Sequence, residues 1–447
     1  MQADDQIGLA LTAQAGDTPL SGQFSPPGDK SISHRSIIFG ALAEGETNTT
    51  NLLEGEDVLR TVAAFRTMGV KIDRQGAGAY RIHGVGLDGL SEPDNVLDMG
   101  NSGTGMRLLA GLLASQPFLS VLTGDGSLRG RPMGRIVKPL TQMGAQILGR
   151  DNGRLAPLVI QGTELVPIHY QSPVASAQVK TAILLAGLNT AGETRVTEPA
   201  VSRDHTERML SAFGATVQRD GLTVSIDGWP TLTGQSIEVP ADISAAAFPI
   251  VAALLVPGSD ITLTNVGLNP TRSGIVDVLT AMGGRIEKLN PRTVGGEPVA
   301  DLRVQHSQLK GIEVPPDVVP SAIDEFPVLF AAASFAEGKT VITGAEELRV
   351  KESDRIAAMA KGLTAIGSNF TETEDGAIII GQPDGLSGGA TVDSHTDHRI
   401  AMSHLVAGLA CKKPVTVTRC DNINTSFPGF DGSMRGLGAN INRALLA

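Results

Sequence analysis

The chain has 447 residues, of which 41% are hydrophobic and 19% charged, so it has the composition of a globular protein long enough for two or three domains. Aromatic residues make up 3% and the net charge is −11, which argues against a base-stacking surface and a broad footprint on nucleic-acid phosphates. Nucleic acid is therefore not an expected partner. Any binding of anions has to come from a local basic cleft in an acidic protein.

Cysteine usage and apolar runs set the expected compartment. Cys411 and Cys420 are the only cysteines, and neither lies in a Cys-x-x-Cys pair or a Cys/His cluster, so we expect packing roles for both and no metal site. The segment Met1–Asp5 lacks the features of a signal peptide, and the longest apolar runs are too short to span a bilayer. These features predict a cytoplasmic protein with no membrane partner.

The first predicted helix begins with two cations. In the segment Pro26–Ser36, Asp29 is a natural N-cap, and an apolar run follows at 37–42. Lys30 and Arg35 then lie near the positive end of the helix dipole, which disfavours cations unless an anion binds to the free N–H groups there. On this motif alone, a solvated helix start is an equally good interpretation.

The same arrangement recurs along the chain, which favours the anion-binding interpretation. Further predicted helix starts carry Arg107 after Gly100–Gly105, Arg203 after Ser202, Arg272 after Asn269–Thr271, Lys351 and Arg355 before Ile356, and Arg399 before Ile400. With the first helix, six such starts predict a protein that collects anions at helix ends.

One unit of sequence repeats between these helix starts. In each copy a predicted helix is followed by an apolar residue, a Gly and a short strand, at Gly69, Gly144, Gly214, Gly283, Gly367 and Gly438. Gly is expected just after a helix, where it supplies the left-handed turn into the strand. In each unit a second, strongly apolar helix precedes a Thr/Val-rich strand, predicted at 47–53, 118–124, 193–198, 260–266, 339–344 and 414–419. Six α/β units can form a solenoid, a ring or two domains, and a buried helix in each unit favours two domains that divide near 232–240.

The motifs are similar, in order and spacing, to those of the 5-enolpyruvylshikimate-3-phosphate (EPSP) synthase family, and the similarity covers nearly the whole chain. They are Pro27–Ser36, Gly100–Arg107, Arg131–Gly134, Ser176–Gln178, Ser321–Glu325, Arg349–Arg355, Asp397–Arg399 and Ser426–Pro428. Leu348 in place of a Trp, the sequence Arg203–His205 and the absence of a lysine just before Ser426 resemble the second, bacterial class.

The resemblance implies an α/β (α+β) fold, a two-domain inside-out α/β barrel with six βαβαββ repeats, three in each domain. Domain I is then residues 1–24 and 239–447, and domain II is residues 25–238. The active site is expected in the cleft between the domains.

The implied reaction transfers the enolpyruvyl group of phosphoenolpyruvate to the 5-hydroxyl of shikimate 3-phosphate through a tetrahedral intermediate and releases phosphate. Both substrates are anions, as the cationic helix starts predict. The resemblance implies neither a metal nor an organic cofactor, and a monomer is the default. Glyphosate is the expected inhibitor at the phosphoenolpyruvate site, because Gly103 stands where insensitive members can carry Ala.

The residues that match the family's motifs divide between the two substrates. Those implied for shikimate 3-phosphate are Lys30, Ser31, Arg35, Ser176, Ala177, Gln178, Arg203, Asp324 and Lys351. Those implied for phosphoenolpyruvate are Lys30, Asn101, Gly103, Arg131, Gln178, Glu352, Arg355 and Arg399. For catalysis, we expect Asp324 to accept the hydroxyl proton and Glu352 to act at the methylene carbon, with Lys30 or Lys351 as alternatives for part of the proton transfer.

Other roles compete with these assignments. Helix capping competes for Ser176 and Ser202, and packing or capping for His34, His205, His395 and His398. A salt bridge at the rim competes for the three arginines of the phosphoenolpyruvate site, above all between Arg399 and Asp397.

Two other functions remain open at this point. The related UDP-N-acetylglucosamine enolpyruvyl transferase would require a Cys-bearing loop in the first half and an Asn after Lys30, where this chain has Ser31. A non-catalytic scaffold that binds phosphorylated metabolites would explain the cations but not the carboxylates of Asp324 and Glu352 among them.

Overall fold

The computed structural model describes residues 8–444. The helices in this range are α1 (Lys30–Leu42), α2 (Glu56–Thr67), α3 (Gly103–Leu113), α4 (Gly134–Gln142), α5 (Arg150–Gly153), α6 (Ala177–Leu188), α7 (His205–Ala212), α8 (Ile243–Leu255), α9 (Gly274–Ala281), α10 (Val319–Ala322), α11 (Phe326–Ser334), α12 (Arg355–Ala365), α13 (His398–Gly408) and α14 (Phe430–Gly436). The α5 segment is a single turn in which Asp151 and Asn152 have positive φ. Short 3-10 turns lie at Leu128–Gly130, Pro316–Val318, Glu346–Val350 and Cys420–Thr425.

The strands between residues 8 and 444 are short. They are β1 (Leu11–Gln14), β2 (Ser21–Phe24), β3 (Glu44–Thr50), β4 (Lys71–Gly76), β5 (Ala79–Val85), β6 (Leu97–Asp98), β7 (Leu119–Thr123), β8 (Gln146–Gly149), β9 (Leu155–Gln161), β10 (His169–Gln171), β11 (Glu193–Thr197), β12 (Val217–Asp220), β13 (Thr223–Asp227), β14 (Ser236–Glu238), β15 (Asp260–Gly267), β16 (Arg285–Val294), β17 (Glu297–Gln305), β18 (Lys339–Ile342), β19 (Asn369–Glu372), β20 (Ala377–Ile380), β21 (Thr391–Asp393), β22 (Val415–Thr418) and β23 (Asn440–Arg443).

The described chain divides into two compact units, and each contains its own hydrophobic core. The first unit comprises residues 8–27, 241–292 and 298–444, and the second comprises residues 28–240 and 293–297. The sequence predicts domain boundaries at 24/25 and 238/239, whereas the two units divide at 27/28 and 240/241. The sequence did not predict that residues 293–297 belong to the second unit. The ends of the expected domain I, residues 1–7 and 445–447, lie outside the described residues.

Within the described residues, the second unit has three four-stranded sheets, in the orders β14-β3-β5-β4, β6-β7-β9-β8 and β10-β11-β13-β12. In each of them the first pair is parallel and the other pairs are antiparallel. The first unit has the sheets β21-β22-β1-β23, β16-β17-β15-β2 and β18-β20-β19 over the same range. In the three-stranded sheet, isolated parallel bridges from Lys310 and Glu313 lie at the β18 edge. They take the place of the parallel edge strand that the four-stranded sheets have. The recurring arrangement of strands agrees with six copies of one unit.

Apolar helices form the interior of each unit. In the second unit α1, α3 and α6 are buried along most of their length, and in the first unit α8, α11 and α13 are. A helix that is buried on most faces has to be surrounded by protein, and these helices pack on one another and on the inner faces of the sheets. The other six long helices are half-buried and have an exposed polar face. The predicted inside-out α/β architecture, with helices inside and sheets outside, is confirmed.

The six glycines of the repeat all have positive φ, from 87° at Gly69 to 102° at Gly214. Each follows the C-cap of a half-buried helix. In the first copy the Gly69 N–H donates to the Arg66 carbonyl and the Val70 N–H to the Phe65 carbonyl, the paired bonds of a Schellman motif. The predicted left-handed turn from helix to strand is confirmed in every copy.

The predicted Thr/Val-rich strands and the packing roles of the two cysteines also agree with the structure. The six predicted Thr/Val-rich strands correspond to β3, β7, β11, β15, β18 and β22. Cys411 and Cys420 are free and buried, and burial raises the pKa of each thiol to about 12. Among the described helices, none has the length and apolar character needed to cross a membrane.

Candidate functional site

The start of α1 carries the first predicted cations of the second unit. The Asp29 carboxylate accepts a hydrogen bond from the Ile32 N–H at 2.8 Å, so the predicted N-cap is confirmed. The Lys30 ammonium lies 2.5 Å from Asp57, in the first turn of α2. Lys30 is therefore held by a carboxylate that the sequence did not reveal.

Arg35 points into the protein and contacts neutral groups. Its side chain is almost fully buried and donates to the Thr206 hydroxyl at 2.7 Å and to the Thr181 hydroxyl at 2.9 Å. It also donates to the Ser31 carbonyl at 3.0 Å, which confirms that these two residues share a helix face. Burial lowers the pKa of Arg35 to about 10, and the nearby Arg203 contributes in the same direction.

His34, next to Arg35, has a packing role. Its ring is fully buried, with Nδ1 at 2.8 Å from the Thr61 hydroxyl. Burial, together with the charges of Lys30 and Arg35, holds the pKa of His34 well below its ordinary value. The ring is therefore neutral near pH 7.

The loop before α3 brings Gly103 against Arg131. Ser102 caps the helix through the Gly105 N–H at 3.0 Å, and the Arg131 guanidinium donates to the Asn101 carbonyl at 3.4 Å. A Cβ added to Gly103 would lie 2.9 Å from the guanidinium carbon of Arg131. Asn101, Gly103 and Arg131, which were predicted for one substrate, are thus in direct contact.

The start of α6 is joined to the start of α3. Ser176 caps α6 through the Val179 N–H, so its predicted capping role is confirmed. The Gln178 amide donates to the Thr104 hydroxyl at 3.0 Å and accepts from Arg107 at 2.7 Å. Sequence reasoning identified Arg107 as a helix-start cation but gave it no place in the site.

Ser202 and Arg203 precede α7, and Ser202 does not cap it. The N-cap residue is Asp204, and the Ser202 hydroxyl instead donates to Glu198 at 2.8 Å. The alternative capping role of Ser202 is therefore wrong. The N–H of Ser176 donates to the same Glu198 carboxylate at 2.8 Å, which links Ala177 and its neighbours at the start of α6 to the segment that carries Arg203.

In the first unit, Asp324 and Glu352 meet different nitrogens of one buried guanidinium. Arg355 is 1% exposed, and its Nη1 lies 3.3 Å from Asp324 and its Nη2 2.6 Å from Glu352. The ammonium of Lys351 is 3.7 Å from the same Asp324 oxygen. The two predicted catalytic carboxylates and two predicted binding cations therefore form one cluster.

Asp397 completes this cluster and corrects one expectation. Its carboxylate is fully buried, pairs with Arg355 at 2.9 Å and accepts the Ser353 hydroxyl at 3.0 Å. From Arg399 it accepts the backbone N–H, at 2.9 Å. The competing interpretation, a salt bridge between the Arg399 and Asp397 side chains, is wrong because Arg355, the first residue of α12, pairs with the Asp397 carboxylate instead. Burial alone would raise the pKa of Asp397, but the Arg355 charge brings it below its ordinary value.

The Arg399 side chain points toward the segment before α11. It donates to the Asp324 carbonyl at 2.9 Å and lies 3.6 Å from the Glu325 carboxylate. Glu325 is buried, accepts a hydrogen bond from Ser244, and lies 3.9 Å from Arg272. Burial raises the pKa of Glu325. Sequence reasoning missed Glu325, although its position beside Asp324 in a recognised motif was an available signal.

The predicted residues therefore form clusters within their own units. In the second unit these surround the starts of α1, α3, α6 and α7, and in the first unit the starts of α11, α12 and α13. Among residues 8–444, no group of three or more His, Cys, Asp or Glu side chains is arranged to hold a metal ion.

Solved structures with the same fold define the class of protein. The chain superposes with a TM-score of 0.89 on an EPSP synthase from Acinetobacter baumannii, at 51% identity over 98% of this chain and 100% of that one. It also shares the fold of an enolpyruvyl transferase from Streptomyces tendae, with a TM-score of 0.77 at 17% identity over 98% of this chain and 99% of that one. The fold is that of the enolpyruvyl transferases.

The family follows from sequence comparison. The model of EPSP synthase (3-phosphoshikimate 1-carboxyvinyltransferase) matches residues 14–434, and a 3-phosphoshikimate 1-carboxyvinyltransferase from Magnetococcus marinus is 72% identical over 96% of this chain and 97% of its own length. The chain belongs to the EPSP synthase family, whose members are transferases of the shikimate pathway and bind shikimate 3-phosphate and phosphoenolpyruvate. The expected enzyme class is confirmed, and the scaffold and the UDP-N-acetylglucosamine transferase are set aside.

Proposed function

We propose that this enzyme uses the clusters described above to join phosphoenolpyruvate to the 5-hydroxyl of shikimate 3-phosphate. The observation that carries the proposal is the contact of both Asp324 and Glu352 with the buried guanidinium of Arg355, at 3.3 and 2.6 Å. A fixed cation between two carboxylates holds them at defined positions, as a reaction with two separate proton transfers requires.

In the addition step, the 5-hydroxyl oxygen attacks C2 of phosphoenolpyruvate and gives its proton to Asp324. The methylene carbon takes a proton from Glu352, so a tetrahedral intermediate forms with a methyl group. In the elimination step, Glu352 removes a methyl proton, the bond from C2 to the phosphate oxygen breaks, and phosphate leaves with the proton held by Asp324. Lys30 or Lys351 is the alternative group for part of the proton transfer. The distance of 3.7 Å between the Lys351 ammonium and the Asp324 carboxylate favours Lys351 over Lys30.

The second unit supplies most of the shikimate 3-phosphate site in this proposal. Its members are Lys30, Ser31, Arg35, Ser176, Ala177, Gln178 and Arg203, with Asp324 and Lys351 from the first unit. Their position at helix starts supports binding of a phosphate, because N–H groups and the helix dipole both favour an anion there.

Phosphoenolpyruvate is assigned to Lys30, Asn101, Gly103, Arg131 and Gln178 together with Glu352, Arg355 and Arg399. Planar guanidinium groups suit a small ligand that carries a carboxylate and a phosphate. That these residues and the shikimate 3-phosphate residues meet in a cleft between the domains stays a prediction.

Three further expectations belong to the proposal. Glyphosate inhibits by occupying the phosphoenolpyruvate site, which the lack of a side chain at Gly103 supports. The chain acts as a monomer, the default state in the absence of a partner-supplied site residue in this proposal. A cytoplasmic location is supported by two unpaired, buried cysteines.

The test is phosphate release from phosphoenolpyruvate by the wild type and by Asp324→Ala. We expect release with shikimate 3-phosphate and none with UDP-N-acetylglucosamine. In the variant we expect shikimate 3-phosphate still to bind, through the residues assigned to it in the second unit. We expect turnover to fall by about 100-fold or more, the usual range for loss of a general base.

Asp260→Ala is the matched control, since this carboxylate also pairs with an arginine, Arg303, but lies on the exposed part of a sheet. We expect its turnover to equal that of the wild type. Near-normal turnover of Asp324→Ala would contradict the proton-transfer role, and no release by the wild type with either acceptor would contradict the proposed function itself.

A further inference from the structure

A single buried carboxylate contacts two segments that the proposed function gives to shikimate 3-phosphate. Glu198 follows the last residue of β11 and is 5% exposed. Its Oε1 accepts the N–H of Ser176 at 2.8 Å, and its Oε2 accepts the hydroxyl of Ser202 at 2.8 Å. One segment begins α6 and the other precedes Arg203, so Glu198 connects chain segments that are 26 residues apart (202−176).

The carboxylate is itself held by a buried lysine. The Lys180 ammonium lies 3.0 Å from Oε2 of Glu198 and 2.7 Å from Oε1 of Glu207, and its side chain is 2% exposed. A buried ammonium is stable only when its charge is compensated, so Lys180 has a strong preference for the position between these carboxylates. Because Lys180 lies on α6, four residues after Ser176, it fixes Glu198 relative to the same helix start.

We propose that Glu198, held by Lys180, is a positioning residue that sets the geometry of the shikimate 3-phosphate site. The proposal rests on the proposed function, which assigns Ser176–Gln178 and Arg203 to that substrate. Glu198 acts through these residues and does not touch the reacting atoms. Its two oxygens fix the distance between the N–H groups at the start of α6 and the segment that carries the Arg203 guanidinium.

Substitutions at Glu198 separate its two contributions. Glu198→Gln is nearly isosteric and keeps an acceptor for one segment, but it loses the charge that pairs with Lys180. Glu198→Ala loses the contacts to both segments. We expect the Kd for shikimate 3-phosphate to rise about threefold in Glu198→Gln and about tenfold or more in Glu198→Ala, since one hydrogen bond to a charged group corresponds to about tenfold in affinity.

The measurements are calorimetric titration of the full chain with shikimate 3-phosphate and steady-state kinetics with each substrate varied. We expect the KM for shikimate 3-phosphate to follow the rise in Kd, and the KM for phosphoenolpyruvate to change by less than about twofold. A purely structural role would lower the thermal midpoint and the fraction of active protein, and thereby kcat, but would leave both KM values unchanged.

Val196→Ala is the matched control for loss of stability. Val196 lies on β11, two residues before Glu198, is fully buried, and carries no polar group that could contact Ser176 or Ser202. We expect this variant to lower the thermal midpoint and to leave both KM values at their wild-type level. If Glu198→Ala does not fold, Glu198→Gln measured against Val196→Ala still decides the question.

The failures of the two proposals are distinguishable. An active wild type whose Glu198 variants bind shikimate 3-phosphate unchanged, or lose affinity for both substrates equally, would overturn the positioning role alone. A wild type that releases no phosphate with shikimate 3-phosphate would overturn the proposed function, and with it the basis for this inference.

Discussion

Replacement of Gly103 by alanine tests how this enzyme accommodates phosphoenolpyruvate. A Cβ at this position would lie 2.9 Å from both Cζ and Nη1 of Arg131 and 3.1 Å from Nη1 of Arg107. These separations are too short for carbon contacts, which are optimal near ~3.5–4.0 Å, so a neighbour has to move. The atoms in the way are the ends of flexible side chains, and we therefore expect the Arg131 guanidinium to shift while the fold stays intact.

The expected effects on stability and on binding have opposite signs. Gly103 begins α3 and does not have positive φ, so alanine suits the backbone and adds up to about 0.5–1 kcal/mol of helix preference. A displaced guanidinium loses part of a charge-assisted hydrogen bond, which amounts to about 1–2 kcal/mol. We therefore expect the KM for phosphoenolpyruvate to rise about 5- to 30-fold, and inhibition by glyphosate to weaken at least as much.

The assay is phosphate release with saturating shikimate 3-phosphate, with phosphoenolpyruvate and glyphosate varied, together with thermal denaturation. Gly130→Ala is the matched control, because it makes the same change one residue before Arg131 at a position where a Cβ meets nothing within 4 Å. We expect wild-type kinetics for the control. If Gly103→Ala kept both the wild-type KM and the wild-type glyphosate inhibition, the steric reasoning would be refuted.

Two further predictions concern buried ionisable groups in the first unit. Asp397→Asn keeps an N-cap for α13 but removes the charge of the one fully buried carboxylate among the three that contact Arg355. We therefore expect a loss of about 1.5–3 kcal/mol of stability, measured by urea unfolding at pH 7. The folded-state pKa of Asp397 is depressed, so its stabilisation is present above the unfolded pKa and is lost as the pH falls through the folded value. Below about pH 4 the variant should therefore lack the part of the acid-induced loss of stability that Asp397 causes in the wild type. Burial lowers the pKa of His404 to about 4. Between pH 6.5 and 4 the unfolded chain therefore binds more protons than the folded chain, and the free energy of unfolding decreases as the pH is lowered. His404→Gln should show a shallower loss of stability over that range, and an unchanged slope would contradict this account.

Much of the fold could be predicted because it depends on local sequence. The glycine after each half-buried helix predicts a left-handed turn, and all six of these glycines have positive φ. Apolar residues on every face of a helix such as α8 indicate burial without any knowledge of its neighbours. N-caps such as Asp29 are likewise satisfied within three residues.

The pairing of charges could not be predicted in the same way, because it depends on contacts between distant segments. Arg35 contacts Thr181 and Thr206, which are 146 and 171 residues away along the chain. Asp397 lies two residues before Arg399 but pairs with Arg355, 42 residues away. A motif fixes which residue types are present, whereas the tertiary fold decides which guanidinium reaches which carboxylate.

The cations at the helix starts differ in their direct partners, and this difference has a consequence for function. Arg355 contacts three carboxylates at 3.4 Å or less, so much of its charge is compensated within the protein. Arg35 contacts two hydroxyls and a carbonyl, which orient its guanidinium. The carboxylates of Glu207, Asp29 and Glu297 act on its charge without being among these hydrogen-bond partners. A guanidinium with neutral partners attracts an anion strongly, whereas one surrounded by carboxylates mainly fixes their positions. We therefore propose that Arg35 recognises a substrate phosphate and that Arg355 places Asp324 and Glu352, in addition to its proposed contact with phosphoenolpyruvate.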